Sequence, residues 1–190
     1  MNSHDEHAVA VTVERTVDAD PVAVWRAASD PQLTQECLPG CESVRSAEQP
    51  RPAVSDPLAA VLDRPAEQAF DSGERFEAEL GIGAAGVTLP FDAEVRIEER
   101  EYPRMRIAAD ADGEGGRFET RASLSLARTD DGATEVTWQA EADVAGRAAT
   151  LGVETLEPVV RRVANGYFDD LAHRIENRSP DSSGAASSPS

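Results

Sequence analysis

Three short stretches of the chain hold residue types at spacings that could do chemistry. Gly81-Ile82-Gly83-Ala84-Ala85-Gly86 has the spacing with which a dinucleotide-binding turn brings backbone N–H groups to a pyrophosphate. That chemistry needs a helix directly after the glycines, because the helix N-terminus receives the phosphate charge. The next residues, Val87-Thr88-Leu89-Pro90-Phe91-Asp92-Ala93-Glu94-Val95, alternate and contain a proline, so a strand is predicted and the glycines become a hairpin turn. Asp110, Asp112 and Glu114 ahead of Gly115 match the opening of a calcium loop, but Arg121 stands where the closing bidentate glutamate is needed. This stretch reads as an acidic turn. His4-Asp5-Glu6-His7 could hold a metal, yet it lies at a terminus of the kind that frays. His173 falls late in a helical segment, where a cation is favoured, and no serine or cysteine pattern pairs with it. Cys37 and Cys41 are the only cysteines and read as reduced packing residues. No catalytic set and no metal site is expected.

The elements that would position a site are marked by period and by caps. Residues 8–16 alternate Val9, Val11 and Val13 with small or polar partners, which predicts a half-buried strand. Asp20-Pro21 and Asp30-Pro31 are two helix starts, each with a capping carboxylate and a proline at the first helical position. They predict two short helices, the second ending near Leu38-Pro39-Gly40, followed by a short strand at Cys41. Residues 47–72 hold Pro50, Pro52, Pro57 and Pro65 and read as an acidic, linker-like insertion with one helical turn at Pro57–Leu62. Period-2 runs then recur at Phe76–Leu80, Val87–Ile97, Met105–Ala109, Phe118–Leu126 and Val136–Val144, separated by turn residues. From Arg147 the period becomes helical through Ala148, Leu151, Thr155, Val159, Val163, Tyr167, Leu171 and Ile175, with a kink expected at Pro158. Residues 1–7 and 177–190 read as a flexible start and a disordered Ser-rich tail around one domain at 8–176.

Asp and Glu number 36 against 18 basic residues, every one of them Arg, for a net charge of -18. Such a chain repels itself in dilute buffer and much less at molar salt, where the Debye length falls to about 3 Å. A salt-rich cytoplasm, that of a halophilic archaeon, is the expected setting. Steering of a basic partner would need the acids gathered on one face, whereas they are spread along the whole sequence. The same charge argues against nucleic acid and anionic lipid headgroups as ligands. The polar start and the lack of a membrane-length apolar run predict a cytoplasmic protein without an anchor.

Several segments, in order, resemble the carbon monoxide dehydrogenase G-subunit (CoxG) family. These are Pro21-x-x-x-Trp25, Asp30-Pro31, Leu38-Pro39-Gly40-Cys41-Glu42, Gly83–Phe91, Ala145–Gly152 and the pair Tyr167-Phe168. The resemblance spans 8–176 apart from the insertion. It implies the α+β helix-grip (START-like, SRPBCC) fold: a curved antiparallel sheet of about seven strands around a long C-terminal helix, with two short helices after the first strand. It also implies an apolar cavity, a quinone or lipid-like ligand in place of a resident cofactor, and an accessory role beside a molybdenum hydroxylase complex, with transient membrane contact. A helix-grip enzyme of the cyclase or hydratase kind and a protein-interaction module are the alternatives.

An inward apolar face places Phe76, Leu80, Leu89, Phe91, Phe118 and Trp138 toward the long helix, with Leu151 and Leu156 facing them from it. Six large side chains are few for a sheet of this length, which leaves room for an apolar small molecule.

Overall fold

The computed structural model describes residues 7–47, 55, 57–62, 73–84 and 86–178. Strand β1 (His7–Val17) is followed by helices α1 (Pro21–Ala28) and α2 (Pro31–Cys37), strand β2 (Cys41–Ser46) and helix α3 (Pro57–Leu62). Strands β3 (Arg75–Ala84), β4 (Val87–Glu101), β5 (Arg104–Gly113), β6 (Gly116–Arg128) and β7 (Thr134–Ala145) form a meander. A short 3-10 turn (Ala148–Leu151) leads into α4 (Val153–Arg178). All seven strands make one antiparallel sheet in the order β1-β7-β6-β5-β4-β3-β2, curved around α4.

Both predicted helix starts form as their residues require. The Asp20 carboxylate accepts the Val22 N–H at 2.9 Å, and Asp30 accepts the Leu33 N–H at 2.9 Å. Each cap satisfies one of the four orphan donors at a helix start and is worth about 1 kcal/mol. The insertion is more than a linker at its centre, because α3 packs on α1 and α2 and buries Leu58 in the main core. Arg26 ties it down by donating to the Leu62 carbonyl at 3.0 Å. Residues 48–54, 56 and 63–72 of the insertion, His4 to Glu6, and the Ser-rich tail from 179 lie outside the described residues; β1 already includes His7, and α4 runs through Arg178.

Two expectations need correction. The glycine run is not itself the hairpin turn, because β3 continues through Gly81, Ile82 and Gly83, which pair with Pro90, Leu89 and Thr88. Only Gly86, at φ 80°, takes a turn conformation there. The last helix does not run unbroken from Arg147. Gly152 at φ 77° separates the 3-10 turn from α4, and α4 then passes through Pro158 without ending. A 3-10 turn advances three residues per turn, so it shifts the helical phase. The buried stripe is therefore Leu156, Ala164, Phe168, Leu171 and Ile175, with Val160 packed against it, while Thr155 is exposed.

The free strand edges are covered by side chains. Gln35 of α2 donates to the Glu42 carbonyl at 3.1 Å and accepts from the Val44 N–H at 3.2 Å, acting as a partner to β2. On β1, Arg161 of α4 donates to the Thr12 carbonyl at 3.0 Å. Such coverage blunts edge-to-edge association.

The register also gathers charge that the sequence spreads out. Glu77, Glu94, Asp110, Glu119 and Asp143 stand opposite one another on β3, β4, β5, β6 and β7, all on the outer face. Glu79, Asp92 and Asp112 form a second such row that ends at Arg117.

Candidate functional site

The site is built by alternation. Following the register across the sheet, Phe76 opposes Val95, then Ala109, Thr120, Ala142 and Val9. The next inward row runs from Val44 through Ala78, Ala93, Ala111 and Phe118 to Val144. Leu80, Leu89, Phe91 and Trp138 share this face, so the six large residues expected to point inward all do so. Leu156 is buried in α4 within the same core cluster as Trp138, whereas Leu151 is 36% exposed on the 3-10 turn. Leu151 does not join the others because the break at Gly152 takes it out of the phase of α4.

These residues form three neighbouring groups. Phe91 and Phe118 meet edge to face at 5.1 Å, with Leu80 and Leu89 beside them. Phe76 packs with Ile97, Met105 and Ile107. Trp138 meets Phe168 at 6.3 Å, and Phe168 meets Tyr167 at 4.9 Å. Gly115 in the β5–β6 turn makes room for the first group, since a Cβ there would lie 2.8 Å from both Leu89 Cδ1 and Phe91 Cζ. The Gly115 carbonyl accepts the Ala148 N–H at 2.7 Å, which fixes the 3-10 turn over that end of the sheet.

Between the groups the concave face is lined by small side chains. Ala78, Ala93, Ala109, Ala111, Thr120 and Ala122 all face inward. Ala109 and Thr120 lie on inner strands, hydrogen-bonded on both sides, yet both remain half-buried, as do Val95, Ile107 and Phe118. An inward side chain of an inner strand can keep solvent contact only through the space between sheet and helix. The described residues thus leave the middle of the concave face open. Val95, Met105, Ile107, Ala109 and Thr120 line it and were not among the expected site residues. The same alternation could have found them had every inward position of the inner strands been weighed.

A second concavity, of about 510 Å³, lies on the outer face and is lined by Arg45, Glu77, Glu79, Glu94, Asp110 and Arg117 among others. Its charged walls make it unsuitable for an apolar guest.

The helices that close the concave side are braced by polar contacts. Arg174 of α4 bridges Glu36 of α2 at 2.6 Å and Asp170 at 3.3 Å. Burial pushes the Cys37 thiol up to about 12 and the Cys41 thiol up to about 11, so neither is a thiolate nucleophile at neutral pH. Burial likewise raises the Tyr167 phenol above its ordinary value, against the opposing hydrogen bond with Thr34. His173 is exposed and contacts Asn177 at 2.9 Å, on the side of α4 away from the concave face's apolar groups. Gly166 admits Pro39 against α4, since a Cβ there would lie 2.7 Å from the Pro39 ring. No helix among the described residues is long and apolar enough to cross a membrane.

The family model of the carbon monoxide dehydrogenase G-subunit (CoxG) matches residues 66–176, more than half of the chain. The chain belongs to the CoxG family. No curated protein gives a significant sequence match. Among solved structures, a conserved protein from Geobacillus kaustophilus is similar at 20% identity and a TM-score of 0.67, over 90% of this chain and 95% of that one. The Zhui aromatase/cyclase of a Streptomyces species is similar at 16% identity and a TM-score of 0.64, over 94% of this chain and 99% of that one. A Thermus thermophilus protein is similar at 14% identity and a TM-score of 0.61, over 90% and 99%. At these identities the likeness shows the fold, and it is the helix-grip fold expected for CoxG.

Proposed function

We infer that the concave face holds an apolar small molecule, quinone-like or lipid-like, and that the protein serves as a non-catalytic carrier or accessory to a molybdenum hydroxylase of the carbon monoxide dehydrogenase type. One observation supports this most: inward side chains on inner strands stay half-buried under α4, where a filled core would cover them. Covering that surface with an apolar guest gains about 25 cal/mol per Å². Membership of a family named for a dehydrogenase subunit supports the accessory role. The lysine-free, strongly acidic chain suits a salt-rich cytoplasm of the halophilic archaeal kind.

The test is Phe91→Arg, with Phe118→Arg as a second variant at a more open position. Each puts a charge on the concave face, where desolvation costs several kcal/mol. Titration with a menaquinone analogue should show saturable binding to wild type and at least about tenfold weaker binding to a variant whose circular dichroism is native. A folded variant that binds as well as wild type would remove the concave face as the site.

A further inference from the structure

The alternation of β4 changes phase near its end. Ile97 faces inward opposite Ile107, but Glu99 pairs with Arg106, and Arg100 pairs with Met105. The register shift between Ile97 and Glu99 is a β-bulge, with one extra residue on β4. Strict alternation from Ile97 would send Glu99 inward and Arg100 outward; the bulge reverses both. Glu99 accordingly meets the outward Arg106 at 2.7 Å. Arg100 joins the inward row that continues through Met105, Leu124, Trp138 and Val13.

Arg100 is half-buried there, and its guanidinium carbon lies 5.5 Å from the ring centre of Trp25. Trp25 is itself only 7% exposed and is held from another side by the edge of Tyr102 at 5.7 Å. At that distance the ring face attracts the cation and holds it at this end of the sheet. Met105, its cross-strand neighbour, packs against both the main core and the Phe76–Ile97 group, so the cation adjoins the open stretch of the concave face.

We propose that Arg100 is the polar end of the concave site, donating to a carbonyl or carboxylate oxygen on a ligand whose apolar body lies along Ile107 and Ala109. This rests on the concave face being the binding site. It adds that the ligand is headed by an oxygen acceptor and is not a plain hydrocarbon, and that its head sits at the α1 end.

Calorimetric titration with matched pairs separates the two ideas. The probes are menadione against methylnaphthalene, which differ in the quinone oxygens, and decanoate against decanol. They are titrated into wild type, Arg100→Gln and Arg100→Lys, all checked by circular dichroism. Wild type should prefer menadione, decanoate or both over their partners by about tenfold, the worth of a charge-assisted hydrogen bond. Whichever pair shows the preference tells a quinone from a fatty-acid source. Arg100→Gln should erase the preference while leaving methylnaphthalene and decanol within about twofold, and Arg100→Lys should keep part of the carboxylate preference. An equal loss for all four probes assigns Arg100 a purely structural role and overturns the proposal, as does no loss at all. Wild type that binds the partners without preference overturns the role of Arg100 alone; wild type that binds none overturns the concave site as well.

Discussion

Replacing Glu94 by Gln should stabilise the protein in dilute buffer and do almost nothing at molar salt. Glu94 stands between Glu77 and Asp110 in the outer row of carboxylates, and among the described residues no ion pair involves it. Side chains directly opposite on neighbouring strands have Cβ atoms about 5 Å apart, and two charges near 5.5 Å repel by about 0.8 kcal/mol in water. Glu94 has two such neighbours, so its repulsion is about 1.5 kcal/mol before screening. Arg117, 4.0 Å from Asp110 and 3.4 Å from Glu119, offsets part of the field at that end, which lowers the figure to about 1 kcal/mol. At 10 mM salt the Debye length is about 30 Å and most of this survives; at 1 M it is about 3 Å and less than a fifth does. For a chain of this size 1 kcal/mol moves Tm by about 2–4 °C. Thermal melts in 10 mM and 1 M KCl should put Glu94→Gln about 3 °C above wild type in the first and level with it in the second. Wild type itself should gain roughly 4–8 °C between them, since four neighbouring pairs in the row are screened together. Comparing the two proteins cancels the general effect of salt on apolar hydration. A variant that melts at or below wild type in dilute buffer would refute the row as a source of strain.

Other expectations come from the helix contacts. Gly166→Ala should lower Tm by a few degrees, because overpacking against Pro39 costs about 1–3 kcal/mol and outweighs the helix-propensity gain of about 1 kcal/mol. An unchanged Tm would mean that the Pro39 turn yields. The two thiols predict alkaline weakness: with folded values of about 12 and about 11 against an ordinary 9.0, the folded chain keeps protons that the unfolded chain loses as pH rises from 9. Stability should therefore fall between pH 9 and 11, and Cys37→Ala should reduce that slope; an equal slope in the variant would assign the loss elsewhere.

Much of the fold was legible because its signals are local. Alternation marked the strands, and Asp-Pro pairs marked the starts of α1 and α2. Pro57–Leu62 was visible as a helical turn, though not its packing on α1, since a helix that short gives no clear apolar face. Leu171 and Ile175 lie in the buried stripe as expected, but the phase of the first half of α4 was misread for a physical reason: a 3-10 turn and Gly152 stand between two helical patterns that run together in the sequence. The inward placement of Phe76, Leu80, Leu89, Phe91, Phe118 and Trp138 followed from period 2. Leu151 followed the wrong helical phase. The outer carboxylate row needed the register of β3 to β7, because Glu77 and Asp143 are far apart in sequence. Arg100 needed the bulge, which no residue type near Glu98 announces. What the concave face binds is not written in either, since alanines at 78, 93, 109 and 111 specify space and not its occupant.

The most direct measurement is a titration of the wild-type protein with a menaquinone analogue, followed by tryptophan fluorescence. Trp138 faces the concavity and is half-buried, so an occupant there should quench it. The proposed carrier role predicts saturable quenching with one ligand per chain. A linear, unsaturable response, with no displacement by decanoate or methylnaphthalene, would contradict it.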